Sequence, residues 1–196
     1  MNETTSTRRL VVGITGASGS IYGVRLLELL SERRDLELHL VVSGAGAATL
    51  RAETDLTVID LAEHVTEVHG PNSIGASIAS GSFRTDGMIV APCSIKTLSA
   101  IANCYTGDLI SRAADVHLKE GRPLVLMVRE TPLHLGHLRV MEAAAAAGAV
   151  IAPPIPAFYH RPQSIEELVD HSVRRVLDRI GLEHSGTVEW KGLGGE

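Results

Sequence analysis

The chain has 196 residues, 44% of them hydrophobic and 21% charged, with a formal net charge of −5. That length suits one domain spanning 1–196, and the apolar share excludes a mainly disordered polymer. Acidic and basic residues are interspersed and no apolar run approaches bilayer length, so neither nucleic acid nor a membrane is an expected partner.

Aromatic residues make up only 3% of the chain, so the core must be built from Ala, Val, Leu and Ile, which suits closely stacked layers. Cys93 and Cys104 form no CxxC pair, and the nine histidines show no HExxH pattern. No protein-held metal is expected. The N-terminus lacks the apolar segment of a signal peptide, and with so few cysteines a reducing cytoplasm is the expected home.

Met1 to Arg8 is polar and expected to be a loose lead-in. Arg9 to Ile14 (RLVVGI) predicts a buried strand, Thr15 to Gly23 (TGASGSIYG) a glycine loop, and Tyr22 to Ser31 a helix with apolar residues at Val24, Leu26, Leu27, Leu29 and Leu30. Leu36 to Ser43 predicts a second strand, Gly46 to Glu53 an alanine-rich helix, and Val58 to Glu63 a further helix. A link rich in Gly, Asn and Ser, Gly70 to Ser82, leads to a strand over Asp86 to Ala91 that Pro92 is expected to end. Helices over Lys96 to Ala102 and Leu109 to Lys119 precede a strand over Pro123 to Val128. A helix over His134 to Ala147 and a strand over Ala149 to Ala152 follow. After the proline-rich loop Pro153 to Pro162, Ser164 caps a helix reaching Ile180, with Glu167 at capping-box spacing. The tail Glu183 to Glu196 carries the only tryptophan, Trp190, and either contacts a neighbouring subunit or lies exposed. Strands alternating with helices predict an α/β three-layer sandwich with a mainly parallel sheet, and ligands at the carboxyl ends of its strands.

Three groups of residues sit where such a fold binds ligands. Gly13, Gly16, Gly19 and Gly23, with Thr15, Ser18 and Ser20 between them, lie where a strand meets a helix, so backbone N–H groups and hydroxyls could cradle a phosphate; a tight turn without ligand is the alternative. A nicotinamide dehydrogenase of the short-chain type would need Tyr-x-x-x-Lys, but Tyr22, Tyr105 and Tyr159 are followed four places on by Leu26, Leu109 and Gln163. Pro92-Cys93-Ser94-Ile95-Lys96-Thr97 forms a second turn after a strand, where Ser94 and Thr97 could bind a phosphate or a ring edge, or where Ser94 could simply cap a helix. A nucleophilic Cys93 has no base nearby in sequence. Arg112 and Lys119 share a helix face and precede Arg129-Glu130 at a strand end, a set that could bind a phosphorylated substrate and move a proton, or form surface ion pairs. Tyr159 lies among prolines and Arg175 on the last helix.

The segments GITGASGSIYG, SGSFRTDGMIVAPCSIKTLSAI, SRAADVHLKEGRPLVLMVRETPL and IPAFYHRPQS resemble UbiX-type flavin prenyltransferases over nearly the whole chain, especially the bacterial members associated with phenolic acid and hydroxybenzoate decarboxylases. The resemblance implies a Rossmann-like or flavodoxin-like fold, assembly as trimers and usually dodecamers, and FMN bound between subunits. It implies FMN contacts from Gly16, Ala17, Ser18, Ser43, Ser94, Ile95, Lys96, Thr97 and Arg129. It implies dimethylallyl monophosphate contacts from Arg112, Lys119, Glu130, Tyr159 and Arg175, and catalytic parts for Glu130, Ser18, Glu53 and Tyr159. The activity implied is attachment of a dimethylallyl group to reduced FMN without a metal, the prenylated flavin passing to a separate UbiD-like decarboxylase. His134 and Arg139 depart from the residues more often found there. A cysteine decarboxylase of the same fold would carry a Pro-Ala-Ser-Ala-Asn-Thr type motif and a histidine near the first helix, where this chain has APCSIKT and Ile21-Tyr22. A non-catalytic FMN-binding subunit is the remaining alternative.

Overall fold

The computed structural model describes residues 7–182 and 184. The tail tryptophan Trp190 and most of the predicted lead-in lie outside them. Six parallel strands form one sheet in the order β3-β2-β1-β4-β5-β6. The four long ones, β1 (Arg8–Ile14), β2 (Leu36–Val42), β4 (Gly87–Cys93) and β5 (Leu124–Val128), are buried along most of their length. Their sequences are near-continuous apolar runs because both faces of a parallel sheet are covered by helices. Leu10, Val12 and Ile14 of β1 pack with α1 (Ser20–Ser31) and α7 (Ile165–Arg179) through Leu26, Leu27, Val173 and Leu177. Val11 points the other way, toward the layer built by α4 (Ile95–Ala102), α5 (Leu109–Lys119) and Ala144 of α6 (Leu135–Ala146). This is the expected three-layer α/β sandwich. Arg25 of α1 also grips Asp170 of α7 through two hydrogen bonds.

Several boundaries differ from the sequence expectation for identifiable reasons. The first helix starts at Ser20 rather than Tyr22, because Gly19 takes φ +103°, a conformation that turns the chain sharply into the helix. The second, α2 (Gly44–Glu53), starts two residues early because Ser43 Oγ accepts from Gly46 N at 3.0 Å. Strand β4 continues through Pro92 to Cys93, since the register slips between Val90 and Cys93, where a missing N–H costs no ladder bond. After α3 (Val58–Ala62), the short edge strand β3 (Glu67–His69) was not expected from the sequence: three residues carry too little pattern. The Gly70 to Ser82 link contains a 3₁₀ turn, Ser77–Ala79, that buries Ile78 and Ala79. Strand β6 shrinks to Val150–Ile151. At α7, Ser164 Oγ accepts from Glu167 N as expected, but the Glu167 carboxylate accepts from Gln163 N rather than from Ser164.

Close packing of α1 on the sheet depends on Gly23. A Cβ there would lie 2.4 Å from the Ala91 carbonyl oxygen and 2.9 Å from Ile14 Cδ1. Helix propensity alone would make Gly23→Ala stabilising by about 1 kcal/mol, whereas overpacking costs about 1–3 kcal/mol. Because the obstacle is backbone, the second effect should dominate. Denaturant titration is expected to show a lower midpoint with an unchanged slope; a raised midpoint would mean that α1 can move off the sheet freely.

Candidate active site

The strand order reverses between β1 and β4, so the loops that follow them diverge and leave a crevice at the carboxyl edge. A cavity of about 880 Å³ lies there, lined among others by Gly16, Ser43, Ser94, Lys96, Thr97 and Asp108. Five of the residues expected to contact FMN thus surround one space, and Ala17, Ser18 and Ile95 adjoin them in the chain. Gly16 is required by crowding: an added Cβ would lie 2.4 Å from Ala45 Cβ. The small residues let the walls approach a flat ligand, while Lys96 contributes a cation and Ser94 and Thr97 hydroxyls; this donor set fits a phosphorylated flavin. Asp108, Asn103, Tyr105, Pro71 and Asn72 also line the cavity and were not anticipated. The one sequence sign among them was Asp108, whose carboxylate accepts from Ser111 N at 2.8 Å and caps α5.

The glycine loop differs from a simple phosphate cradle. The carboxylate of Glu53, at the end of α2, accepts from Gly19 N at 2.9 Å and Ser20 N at 2.8 Å. The amides that would have met a phosphate at the start of α1 are therefore occupied by an anion of the chain itself. Burial works against ionisation of Glu53, but hydrogen bonds from Ser18, the Ser20 and Gly19 amides and the Ser20 hydroxyl outweigh it and hold its pKa below the ordinary value. Thr15 is likewise committed internally: its buried hydroxyl donates to Pro92 O and accepts from Ser94 N, both at 2.8 Å. Ser94 caps α4, its Oγ accepting from Thr97 N at 3.3 Å. Cys93 is fully buried and its thiol is pushed up to about 12 by burial, so it is no nucleophile.

Arg129 and Glu130 follow β5, and Arg129 N donates to Cys93 O at 3.1 Å, beside the Ser94 turn. Burial raises the pKa of the nearby Tyr22 phenol, and the charge of Arg129 opposes the rise. Glu130 is exposed and accepts from Thr131 N. Arg175 on α7 pairs with Asp178, and Tyr159 meets α7 through His171, its hydroxyl 2.8 Å from His171 Nε2. His171 was not singled out by sequence, because the contact spans twelve residues and depends on how the proline-rich loop folds back.

Arg112 and Lys119 stand apart from this group within one chain. Helix α5 begins at Asp108 beside the cavity and runs the length of the sheet, so Lys119 ends near Gly81, at the amino edge, paired with Glu120. Eleven residues of helix put it about 16 Å from the helix start. Arg112, nearer the cavity, bonds Ala79 O and Asp115. The expected juxtaposition of this helix face with Arg129-Glu130 is therefore not made inside one chain. His134 caps α6, Nδ1 accepting from Gly136 N at 3.0 Å, and Arg139 is exposed. Among the described residues, His39, Glu67 and His69 have the donor types of a metal site; His39 Nδ1 and His69 Nε2 lie 3.0 Å apart and hydrogen-bond to each other.

A cavity at the switch point of a parallel sheet is where α/β proteins of this kind bind nucleotides, and the Flavoprotein family matches residues 1–177. The chain is 56% identical over 187 residues to the flavin prenyltransferase UbiX of Escherichia coli K12, covering 94% of this chain and 99% of that protein. It therefore belongs to the UbiX-like flavin prenyltransferase family. A dodecameric FMN-dependent UbiX-like decarboxylase from Escherichia coli O157:H7 superposes with a TM-score of 0.92 at 48% identity, covering 94% of this chain and all of that one. AnUbiX, solved with FMN and dimethylallyl pyrophosphate, also gives 0.92, at 49% identity, covering 95% and 99%.

A lowered folded-state pKa for Glu53 means that its contribution is present above the unfolded value of 4.5 and fades as pH falls through the folded value. Glu53→Gln should cost about 1 kcal/mol at pH 7, a modest figure because the group is exposed and screened. The gap from the parent protein should close below pH 4.5 in denaturant titrations. A gap that stays constant across that range would show that its charge does nothing for the α1 terminus.

Proposed function

We propose that this protein joins the dimethylallyl group of dimethylallyl monophosphate to reduced FMN. The observation that carries the proposal is the cavity at the switch point of the sheet in a chain 56% identical to a flavin prenyltransferase, which also carries a second group, Tyr159 and Arg175, expected to hold the prenyl donor. A protein that only carried flavin would have no use for the second group. Reduced FMN supplies the nucleophilic ring nitrogen and the adjacent ring carbon that become bonded to the five-carbon unit.

The chain's part is binding, charge stabilisation and proton handling. Gly16, Ala17, Ser18, Ser43, the Ser94 to Thr97 turn and Arg129 hold the flavin and its phosphate. Lys119, Arg175 and Tyr159 hold the phosphate of the prenyl donor and stabilise the charge that gathers on it as the allylic C–O bond breaks. Arg112 lies on the same face of α5 as Lys119, two turns nearer the cavity. Glu130 moves the proton required at ring closure, and Glu53 with Ser18 fixes the start of α1 beside the flavin. Because Lys119 ends at the far edge of its own sheet, its phosphate-binding role requires a neighbouring copy, in keeping with a trimer-based homo-oligomer such as the dodecamer of the Escherichia coli O157:H7 relative. Exposed Leu133, Leu135 and Leu138 around α6 supply an apolar face for such assembly. Among the described residues no helix is long and apolar enough to cross a membrane. Cys93 and Cys104 are free thiols, which accords with a reducing cytoplasm, where the product would pass to a UbiD-like decarboxylase.

Anaerobic incubation with reduced FMN and dimethylallyl monophosphate should release a flavin heavier by one C5H8 unit, detected by mass spectrometry. Glu130→Gln should abolish that product while FMN still binds, and dimethylallyl diphosphate run in parallel should react more slowly. Unmodified flavin from intact, FMN-binding protein would overturn the activity.

A mixing experiment tests the shared site. Lys119→Ala and Glu130→Gln proteins, each inactive alone, should regain activity when their subunits are dissociated and reassembled together. Absence of any recovery in confirmed mixed oligomers would place both residues in one chain's site.

A further inference from the structure

Tyr159, His160 and His171 form a compact cluster where the loop after β6 returns to α7. The Tyr159 hydroxyl lies 2.8 Å from His171 Nε2. The His160 ring stacks on His171 at 4.7 Å between centroids and 16° between planes, while Tyr159 meets both rings edge-on at 5.3 and 5.6 Å. The stacked His160 limits rotation of the His171 imidazole, and α7 fixes its base. Arg175 follows His171 by four residues, so both project from the same side of α7. His171 and Arg175 also line one recess, of about 350 Å³, together with Met127 of β5 and Pro153.

A hydroxyl 2.8 Å from an imidazole nitrogen can be donor or acceptor, and the two cases differ in what remains for a ligand. If the phenol donates to His171, only oxygen lone pairs face a doubly charged phosphate, which repels them. If His171 Nε2–H donates to the phenol, the phenolic proton can be directed at a phosphate oxygen. Only the second arrangement makes Tyr159 a phosphate donor. Burial, with His160 and Arg175 beside it, lowers the His171 pKa, so the imidazole is neutral at neutral pH and its single proton must be assigned to one nitrogen.

We propose that His171 is a positioning residue for the prenyl donor, its Nε2–H donating to the Tyr159 hydroxyl so that the phenol proton is directed to the phosphate. This rests on Tyr159 contacting the donor phosphate, as proposed above. The chain is then His171 Nε2–H to Tyr159 Oη, and Tyr159 O–H to a phosphate oxygen next to the Arg175 guanidinium. His160 keeps the imidazole in plane.

The test is a double-mutant cycle on the FMN-loaded full-length oligomer, following prenylation rates against dimethylallyl monophosphate concentration. Tyr159→Phe should raise KM about tenfold, roughly the value of one hydrogen bond to a charged group. His171→Phe should raise it by a similar factor, with smaller change in kcat, and the double variant should be little worse than either single one. His171→Gln, whose side-chain amide can place an N–H where Nε2–H stood, should stay within about threefold of the parent, a rescue that a purely structural role would not give. FMN titration and thermal melting would confirm that each variant is loaded and folded. Equal losses in His171→Gln and His171→Phe, or fully additive losses in the double variant, would overturn the positioning role while leaving Tyr159 in place. An unchanged KM in Tyr159→Phe would instead remove the phosphate contact on which the role depends.

Discussion

One buried hydroxyl ties together the two loops on which the site depends. Thr15, just past β1, both donates to Pro92 O and accepts from Ser94 N, while its own amide donates to Pro92 O at 3.2 Å. The strands it links are the two between which the sheet order reverses, so the crevice opens at the place where this bond closes its floor. With the floor fixed, Gly16 is held against Ala45 and the α2 terminus stands at a set distance from the α4 terminus. A hydroxyl that both gives and accepts in a dry environment is costly to lose, because the Ser94 amide would be left without its acceptor and Pro92 O would keep only the longer bond from the Thr15 amide. The shape of the cavity is therefore decided before any ligand contact is counted.

The helix ends around that floor share a second feature: most are satisfied from within. Glu53 occupies the start of α1, Ser43 caps α2, Ser94 caps α4 and Asp108 caps α5. Anion binding in this cavity thus falls less on free helix amides than on side-chain cations and the narrow backbone at Gly16. A negatively charged cap at α1 also repels a phosphate from that end of the cavity and favours its placement toward Lys96 or Arg129. With FMN in this cavity as proposed, Glu53 would orient the flavin phosphate as well as stabilise a helix.

The layered fold was legible because parallel strands buried on both faces leave long apolar runs, as in RLVVGI and PLVLMV, separated by amphipathic helices. Residues just after such strands, Gly16, Ser43, Ser94 and Thr97, could be placed at one edge from topology alone, and they do surround one cavity. What escaped depended on distant closure of the chain. Strand β3 is short and half-exposed, and the His39–His69 hydrogen bond exists only because β2 and β3 pair. Thr15 looked like a ligand hydroxyl, and nothing local says that it is spent on Pro92. Helical spacing put Arg112 and Lys119 on one face correctly, yet spacing along an axis carries no information about which end of the sheet the helix reaches.

The division of cations between the two ends of the sheet has a chemical consequence. An allylic cation generated in water would be captured by water, so the proposed reaction needs a site from which solvent is excluded. In one chain, Tyr159 is 46% exposed and Phe158 69%, and the Arg175 side chain 60%, too open to shelter such a species. Lys119, the charge that would balance the leaving phosphate, is at the far edge. A neighbouring subunit that brings its own α5 terminus to this opening would supply the missing charge and the missing cover in the same step. Coupling the two is advantageous, since a lone subunit then lacks the charge that promotes ionisation whenever it also lacks the walls that protect its product. Assembly would thus serve as the condition under which the chemistry is permitted to begin.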